Sequence, residues 1–217
     1  MPDNLDPAMR RMPVYLLLDC STSMEGESVE AVKQGVKYLL SELRGDPDAI
    51  ERVWISVITF DSSARQVVPL TELEQFKEPP LTANGSTALG DALRLLLKSV
   101  DQEVRKTTPT QKGDYRPLVF LMTDGEPTDS WESAADEVKR RRFGNIIACG
   151  AGPSVRTETL KRITEIVVLL NDYKPETFKA FFKWVSASVV TTSQKIAAKG
   201  EAPLDLPAPP PQIQIIP

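Results

Sequence analysis

Two hydrophobic patterns alternate along this chain. Short apolar runs rich in β-branched residues are typical of strands buried on both faces of a sheet, and apolar residues three and four positions apart are typical of amphipathic helices. The runs predict strands at 14–18, 53–60, 65–69, 117–122, 145–149 and 166–170. The helical spacing predicts helices at about 28–44, 88–105, 129–142, 155–163 and 175–190. This alternation predicts an α/β fold: a doubly wound, mostly parallel sheet with helices on both faces.

One connection is too short for a parallel crossover. Only residues 61–64 separate the second predicted strand from the third, whereas a crossover needs a dozen or more residues. The third strand is therefore predicted as an antiparallel edge strand in a sheet of order 3-2-1-4-5-6. In this order the first and fourth strands are neighbours where the winding reverses, and ligand sites form outside the carboxyl ends of the strands at that point.

Length and proline content suggest how the chain is divided. The 217 residues, 41% of them apolar and 26% charged, are enough for one domain with a sizeable core. Six of the 18 prolines follow Gly200, and such a segment is typical of an extended tail without regular structure. We therefore expect an N-terminal arm at 1–12, one domain at 13–190 and a Pro-rich flexible tail at 191–217.

Charge and composition exclude several classes of function. The net charge of −4 argues against a nucleic-acid binder that uses a generally basic surface. No apolar run is long enough for a membrane span. The chain has no histidine, which removes Ser-His-Asp, Cys-His and His-ligated zinc sites. Its two cysteines form no CxxC pair, and a cytoplasmic location is expected for them.

Oxygen-bearing side chains follow the first and fourth predicted strands. Asp19, Ser21 and Ser23 stand at alternate positions after the first strand, and Asp124 follows the fourth. Thr87 precedes the helix that leads into the fourth strand. Because the first and fourth strands are predicted neighbours, we expect these five side chains to converge.

Such a set of oxygen atoms is typical of a site for a hard divalent cation. Mg²⁺ takes oxygen ligands in octahedral geometry and keeps several waters, and Mn²⁺ is an alternative. If neutral hydroxyls fill the inner shell, the cation stays electrophilic toward a carboxylate from outside the chain. A metal-bridged contact with a protein partner is therefore the leading hypothesis.

Three segments resemble a known family. D-x-S-x-S at Asp19, Ser21 and Ser23, GSTALGDAL around Thr87 and TDGEPTD around Asp124 are similar to the metal-ion-dependent adhesion site of von Willebrand factor type A domains. The resemblance covers roughly residues 13–190. PVYLLLDCSTSMEGESVEAVKQG and LMTDGEPTD are most similar to bacterial TerY-type proteins of tellurite-resistance and stress-response clusters.

The resemblance implies a role for each residue. Ser21, Ser23 and Thr87 would be direct ligands of the metal, and Asp19 and Asp124 would often act through water. It also implies partner binding, often alongside a protein kinase and a phosphatase, rather than catalysis. Family members commonly have glycine where Thr22 stands. A β-branched residue tolerates unusual backbone angles less well than glycine does, so the geometry of this loop could differ from that of the family.

Two other classes of function stay open at this stage. Asp19 could be the nucleophile of a phosphatase or phosphoryl-transfer enzyme, although such enzymes usually carry a second aspartate where Ser21 stands. The fold could also be a structural scaffold with an idle site. Taken singly, each of the five residues could serve a turn or cap a helix.

Overall fold

The structure, a computed structural model, describes residues 10–141, 143–152, 155–170, 172, 174–199 and 206–216. In these residues the strands are β1 (Met12–Asp19), β2 (Val53–Phe60), β3 (Ala64–Glu72), β4 (Leu118–Thr123), β5 (Asn145–Ala151), β6 (Ile166–Leu170) and β7 (Ile213–Ile216). The α-helices are α1 (Glu27–Arg44), α2 (Pro47–Arg52), α3 (Leu89–Glu103), α4 (Glu132–Arg140), α5 (Thr157–Ile163) and α6 (Pro175–Lys199), and a 3-10 turn lies at Thr22–Met24.

All of the strands belong to one sheet, in the order β3-β2-β1-β4-β5-β6-β7. β1 is parallel to both β2 and β4, and β5 and β6 continue the parallel set. β3 is antiparallel to β2. The predicted fold class, the order 3-2-1-4-5-6 and the antiparallel edge strand β3 are therefore confirmed.

The chain after Gly200, predicted to lack regular structure, supplies the additional strand β7. This strand pairs antiparallel with β6, with Ile213 opposite Leu170. The prediction rested on the prolines of the tail, which lack the amide hydrogen that a strand needs. The Ile-Gln-Ile-Ile segment that follows most of them has these amides, and Ile213 is buried in the core. Residues 200–205 lie outside the described part of the chain.

The last helix is also longer than its predicted end near residue 190. α6 continues to Lys199, and its Trp184 indole donates a hydrogen bond to the Pro207 carbonyl at 2.8 Å. Leu206 packs against the same core. The described part of the predicted tail therefore lies against the domain.

The predicted arm at 1–12 ends in ordered structure. β1 begins at Met12, where it pairs with Val53. Arg11 is buried, and its Nε donates to Asp114 Oδ1 at 2.9 Å. Its guanidinium lies over the Trp54 ring, 4.6 Å from the centroid. Residues 1–9 of the arm lie outside the described residues.

The sheet separates two apolar layers. Val14, Leu16 and Leu18 of β1 face the layer that holds α1 and α6, whereas Tyr15 and Leu17 face the layer that holds α3, α4 and α5. Because both faces are covered, the central strands appear as continuous apolar runs in the sequence. In the part of the chain that the structure describes, no helix is both long and apolar enough to cross a membrane.

Helix α1 packs against Phe182 of α6 at Gly35. A Cβ on Gly35 would lie 1.9 Å from Cδ2 of Phe182, and that ring is buried. Only a residue without a side chain fits beneath the ring, so Gly35 sets the separation of the two helices.

Substitution Gly35→Ala should therefore destabilise the domain by about 1–3 kcal/mol, the usual cost of overpacking a core. Thermal denaturation measures this, since a domain of this size loses about 2–4 °C per kcal/mol. Gly45→Ala is the matched control: φ is −82° there, a Cβ would meet only backbone oxygens at 3.3 Å and beyond, and we expect a change within about 0.5 kcal/mol. A Gly35→Ala protein that melts like the wild type would contradict this account.

Candidate metal centre

The carboxyl ends of β1 and β4 bring two aspartates to one place. Asp19 is the last residue of β1, and Asp124 directly follows β4. The strands are neighbours in parallel register, with Leu18 opposite Met122. The hydroxyl of Thr123 donates to Asp19 Oδ2 at 2.5 Å, which joins the two strand ends directly.

Two serines continue this cluster through the turn after β1. The Ser21 amide donates to Asp19 Oδ1 at 2.8 Å. The hydroxyl oxygens of Ser21 and Ser23 lie 3.0 Å apart, and the Ser23 hydroxyl donates to Asp124 Oδ1 at 2.7 Å. The carboxylates and hydroxyls thus form one continuous network across two loops.

Thr87 reaches the same network from a third loop. A Cβ built on Gly125 would lie 3.3 Å from Thr87 Oγ1 and 3.7 Å from Ser23 Oγ. These two hydroxyls therefore border the same small space beside Gly125. All five side chains singled out from the sequence lie in this cluster.

The role of Gly125 was missed by sequence reasoning. Positive φ angles are found at Gly26, Gly85 and Gly152 among the described glycines, and not at Gly125. The missing side chain leaves open the space beside the hydroxyls of Ser23 and Thr87, where a Cβ would make one tight contact with Thr87 Oγ1 and an ordinary contact with Ser23 Oγ. Its place beside Asp124 in the motif was the only sequence signal for this role.

Thr22 fits the loop without backbone strain. Its amide and its hydroxyl both donate to the Gly85 carbonyl, at 3.0 and 2.9 Å, and no non-glycine residue in the described segments has a positive φ. Thr22 thus ties the turn after β1 to the loop that carries Thr87.

The electrostatics of the cluster favour a cation. Asp19 and Asp124 are 1% and 2% exposed, and among the described residues neither forms an ion pair with lysine or arginine. Burial raises the pKa of the Asp19 carboxyl, as does the charge of Asp124, while hydrogen bonds from Ser21 and Thr123 oppose the shift. Burial likewise raises the pKa of Asp124, against a hydrogen bond from Ser23. Two carboxylates are thus held where a nearby positive charge would stabilise them.

The donor set fits a hard divalent cation. Every donor in the cluster is a hydroxyl or carboxylate oxygen, the ligand type that Mg²⁺ prefers. In the segments that the structure describes, no group of three or more His, Cys, Asp or Glu side chains could hold a metal ion, so binding here would depend on the hydroxyls. Ser23 is exposed, which leaves the cluster open to solvent on that side.

Two other sequence features take no part in the cluster. Burial, followed by the charge of Asp19, raises the pKa of the Cys20 thiol to about 12, which disfavours a nucleophilic role. In the basic run at 139–142, Arg140 pairs with Glu137 and Arg141 pairs with Asp101. Arg142 lies outside the described residues.

Comparison with known proteins identifies relatives of the chain and of its fold. A family model for the von Willebrand factor type A domain matches residues 14–181. An uncharacterized protein of the cyanobacterium Synechocystis is 34% identical over 127 residues, which are 54% of this chain and 26% of that protein. The chain therefore spans about a quarter of that relative's length.

Solved structures show the same architecture. A von Willebrand factor type A protein from Catenulispora acidiphila matches with a TM-score of 0.63 and 20% identity, over 83% of this chain and 43% of that one. Proximal thread matrix protein 1 from the mussel byssus, solved with a zinc-occupied MIDAS motif, matches with a TM-score of 0.56 and 18% identity, over 87% and 47%. At this identity the two structures are evidence of a shared fold.

Gly125→Ala should block a cation while leaving the fold intact. The methyl group makes one tight contact, at 3.3 Å from Thr87 Oγ1, and fills space between two donor oxygens. We expect Mg²⁺ affinity to fall at least about tenfold, or roughly 1.4 kcal/mol, by calorimetric titration. The melting temperature in EDTA should stay within about 4 °C of the wild type. Unchanged affinity would contradict the placement of the cation beside Gly125.

Asp124→Asn should stabilise the protein in EDTA. It removes one of two neighbouring buried charges and keeps an oxygen that can accept from Ser23. We expect a rise of about 2–4 °C in melting temperature, which is roughly 1 kcal/mol for this size, and no further rise with Mg²⁺. Glu126→Gln removes a charge from a more exposed position two residues along and should keep the response to Mg²⁺. A loss of stability in EDTA would contradict the electrostatic account.

Proposed function

Because the chain belongs to the von Willebrand factor type A domain family, whose members generally mediate protein–protein interaction or adhesion, we propose that it is a metal-dependent protein-interaction module. The site is the cluster of Asp19, Ser21, Ser23, Thr87 and Asp124. The cation is Mg²⁺, or Mn²⁺ in its place. The partner is a protein that presents an acidic side chain.

One observation carries this proposal: neutral hydroxyls and two buried carboxylates from three loops come together in one cluster that is exposed at Ser23. In this role Ser21, Ser23 and Thr87 bind the cation directly, and Asp19 and Asp124 bind through water. A neutral inner shell leaves the cation able to attract a carboxylate from outside. The zinc-occupied MIDAS motif of the mussel protein supports the view that sites of this family hold divalent cations.

The burial of Asp19 supports binding rather than catalysis. Both of its carboxylate oxygens accept hydrogen bonds, from the Ser21 amide and the Thr123 hydroxyl, and only 1% of the residue is exposed. A nucleophile for phosphoryl transfer needs a free oxygen that faces its substrate. We therefore propose that the protein is not an enzyme.

The biological setting is proposed from the motif resemblance. On the similarity of its motifs to TerY-type proteins, we propose a bacterial tellurite-resistance or stress-response system as the setting, with a co-encoded kinase and phosphatase as partners. Both cysteines are free and buried, which supports a cytoplasmic location. The net charge of −4 supports protein rather than nucleic-acid partners.

The double substitution Ser21→Ala/Ser23→Ala tests the metal bridge. We expect wild-type protein to bind Mg²⁺ in calorimetric titration and to capture a partner from host lysate with Mg²⁺ but not with EDTA. The double mutant should lose both properties, because two of three direct ligands are gone, and should still melt cooperatively. Ser63→Ala/Ser130→Ala, which alters two exposed serines outside the cluster, should behave like the wild type.

Two results would contradict the proposal. One is capture of the same partner by the double mutant in EDTA, which would show that the contact does not use the cation. The other is turnover of a phosphorylated substrate that Asp19→Asn abolishes, which would make the site a phosphoryl-transfer centre.

A further inference from the structure

The helix that follows Thr87 does not cap its own amino terminus. The N-cap residue of α3 is Ala88, which has no side-chain acceptor for the first amides of the helix. Those amides need acceptors from elsewhere. They find them on Asp129: Gly90 donates to Oδ1 at 2.9 Å and Asp91 donates to Oδ2 at 2.8 Å. A residue 39 positions away thus caps α3.

The neighbouring Thr128 holds Thr87 itself. The Thr87 amide donates to Thr128 Oγ1 at 3.1 Å, and the Thr128 amide donates to the Thr87 carbonyl at 2.9 Å. Both backbone polar groups of Thr87 therefore bond to Thr128, and the carbonyl also accepts from the Leu89 amide at 3.0 Å.

Close packing supports the same arrangement. A Cβ on Gly90 would lie 2.4 Å from the Ser130 carbonyl oxygen and 2.7 Å from Trp131 Cα, so the segment packs directly against the first turn of α3. Arg94, one turn further along, donates to the Ser130 carbonyl at 2.8 Å. The segment at 124–131 therefore begins with Asp124, and its last residues contact the first turns of α3.

From these contacts we infer that Thr128 and Asp129 are positioning residues, which fix Thr87 relative to Asp124 so that both can serve one cation. The inference rests on the proposed function. Neither residue is assigned as a ligand, and each acts through Thr87 or through the helix that begins beside it. Outer residues that orient metal ligands typically contribute 10- to 100-fold to metal affinity.

The test compares Asp129→Asn with Glu126→Gln. Both substitutions remove one negative charge from the same segment, so both weaken cation binding through long-range electrostatics. Asp129 contacts α3 through the Gly90 and Asp91 amides and through Arg94, whose guanidinium lies 3.2 Å from Oδ2. The Glu126 carboxylate accepts instead from the Arg156 amide and the Thr159 hydroxyl. Calorimetric titration with Mg²⁺ at 25 °C should show an affinity about tenfold lower for Asp129→Asn than for Glu126→Gln.

A second readout uses the protein without any cation. Hydrogen exchange of at least one of the Gly90 and Asp91 amides should be faster in Asp129→Asn, because asparagine keeps a single acceptor oxygen for these two donors. Both amides should be unchanged in Glu126→Gln. For Thr128, the valine variant should raise the exchange rate of the Thr87 amide and weaken Mg²⁺ binding, and Thr128→Ser, which keeps the hydroxyl, should restore both.

The outcomes separate this inference from the proposed function. Equal Mg²⁺ affinities for Asp129→Asn and Glu126→Gln, together with binding by the wild type and none by Ser21→Ala/Ser23→Ala, would overturn the positioning role alone. A lower melting temperature for Asp129→Asn with an affinity equal to that of Glu126→Gln would likewise assign Asp129 to stability only. A wild-type protein that binds no divalent cation would overturn both proposals.

Discussion

The candidate metal centre depends first on the parallel pairing of β1 with β4. This pairing sets Leu18 opposite Met122, so Asp19 and Asp124 leave the sheet side by side. Both strands are covered by helices on both faces, and a shift of one residue would turn every apolar side chain toward the wrong layer. The register that the core enforces is therefore also the register of the two aspartates, and the rigidity of the site derives from the packing beneath it.

The second constraint is electrostatic. Burying two carboxylates beside each other is unfavourable unless donors or positive charges compensate. Here the donors are hydroxyls and amides, from Ser21, Ser23 and Thr123, and none of them carries a charge. The fold thus keeps a concentrated negative charge at an opening in the surface. In the proposed function, a divalent cation would supply the positive charge that the hydroxyls lack, and a carboxylate of the partner would complete its shell.

Much of the site consists of residues that are not ligands. Thr22 joins the turn after β1 to the Gly85 carbonyl, Gly125 leaves room between hydroxyls, and Asp129 caps the helix that follows Thr87. Each of these contacts crosses from one loop to another. These contacts therefore fix the loops relative to one another. Such fixed positions would keep the chain's own side chains out of the space proposed for the cation.

The apolar periodicity was sufficient to predict the strands and helices, because their spacings are local, and the short link at 61–64 excluded a parallel crossover to the third strand. The strand order was predicted from the usual order of doubly wound sheets. The convergence of Asp19, Ser21 and Asp124 followed from that order, since strands that neighbour each other at a reversal of winding bring their carboxyl ends together. Each of these strand and helix predictions could be made from a residue and its neighbours along the sequence.

Other features have no such local signature. β7 is only four residues long and follows a run of prolines, so its role as a strand depends on the exposed edge of β6, more than 40 positions earlier. The space that Gly125 leaves open matters because Thr87 lies across the site. Asp129 acts as a cap because α3, in another segment, has no side-chain cap of its own. Such requirements exist only after distant parts of the chain have packed together, because steric exclusion and hydrogen bonding act through space and not along the backbone.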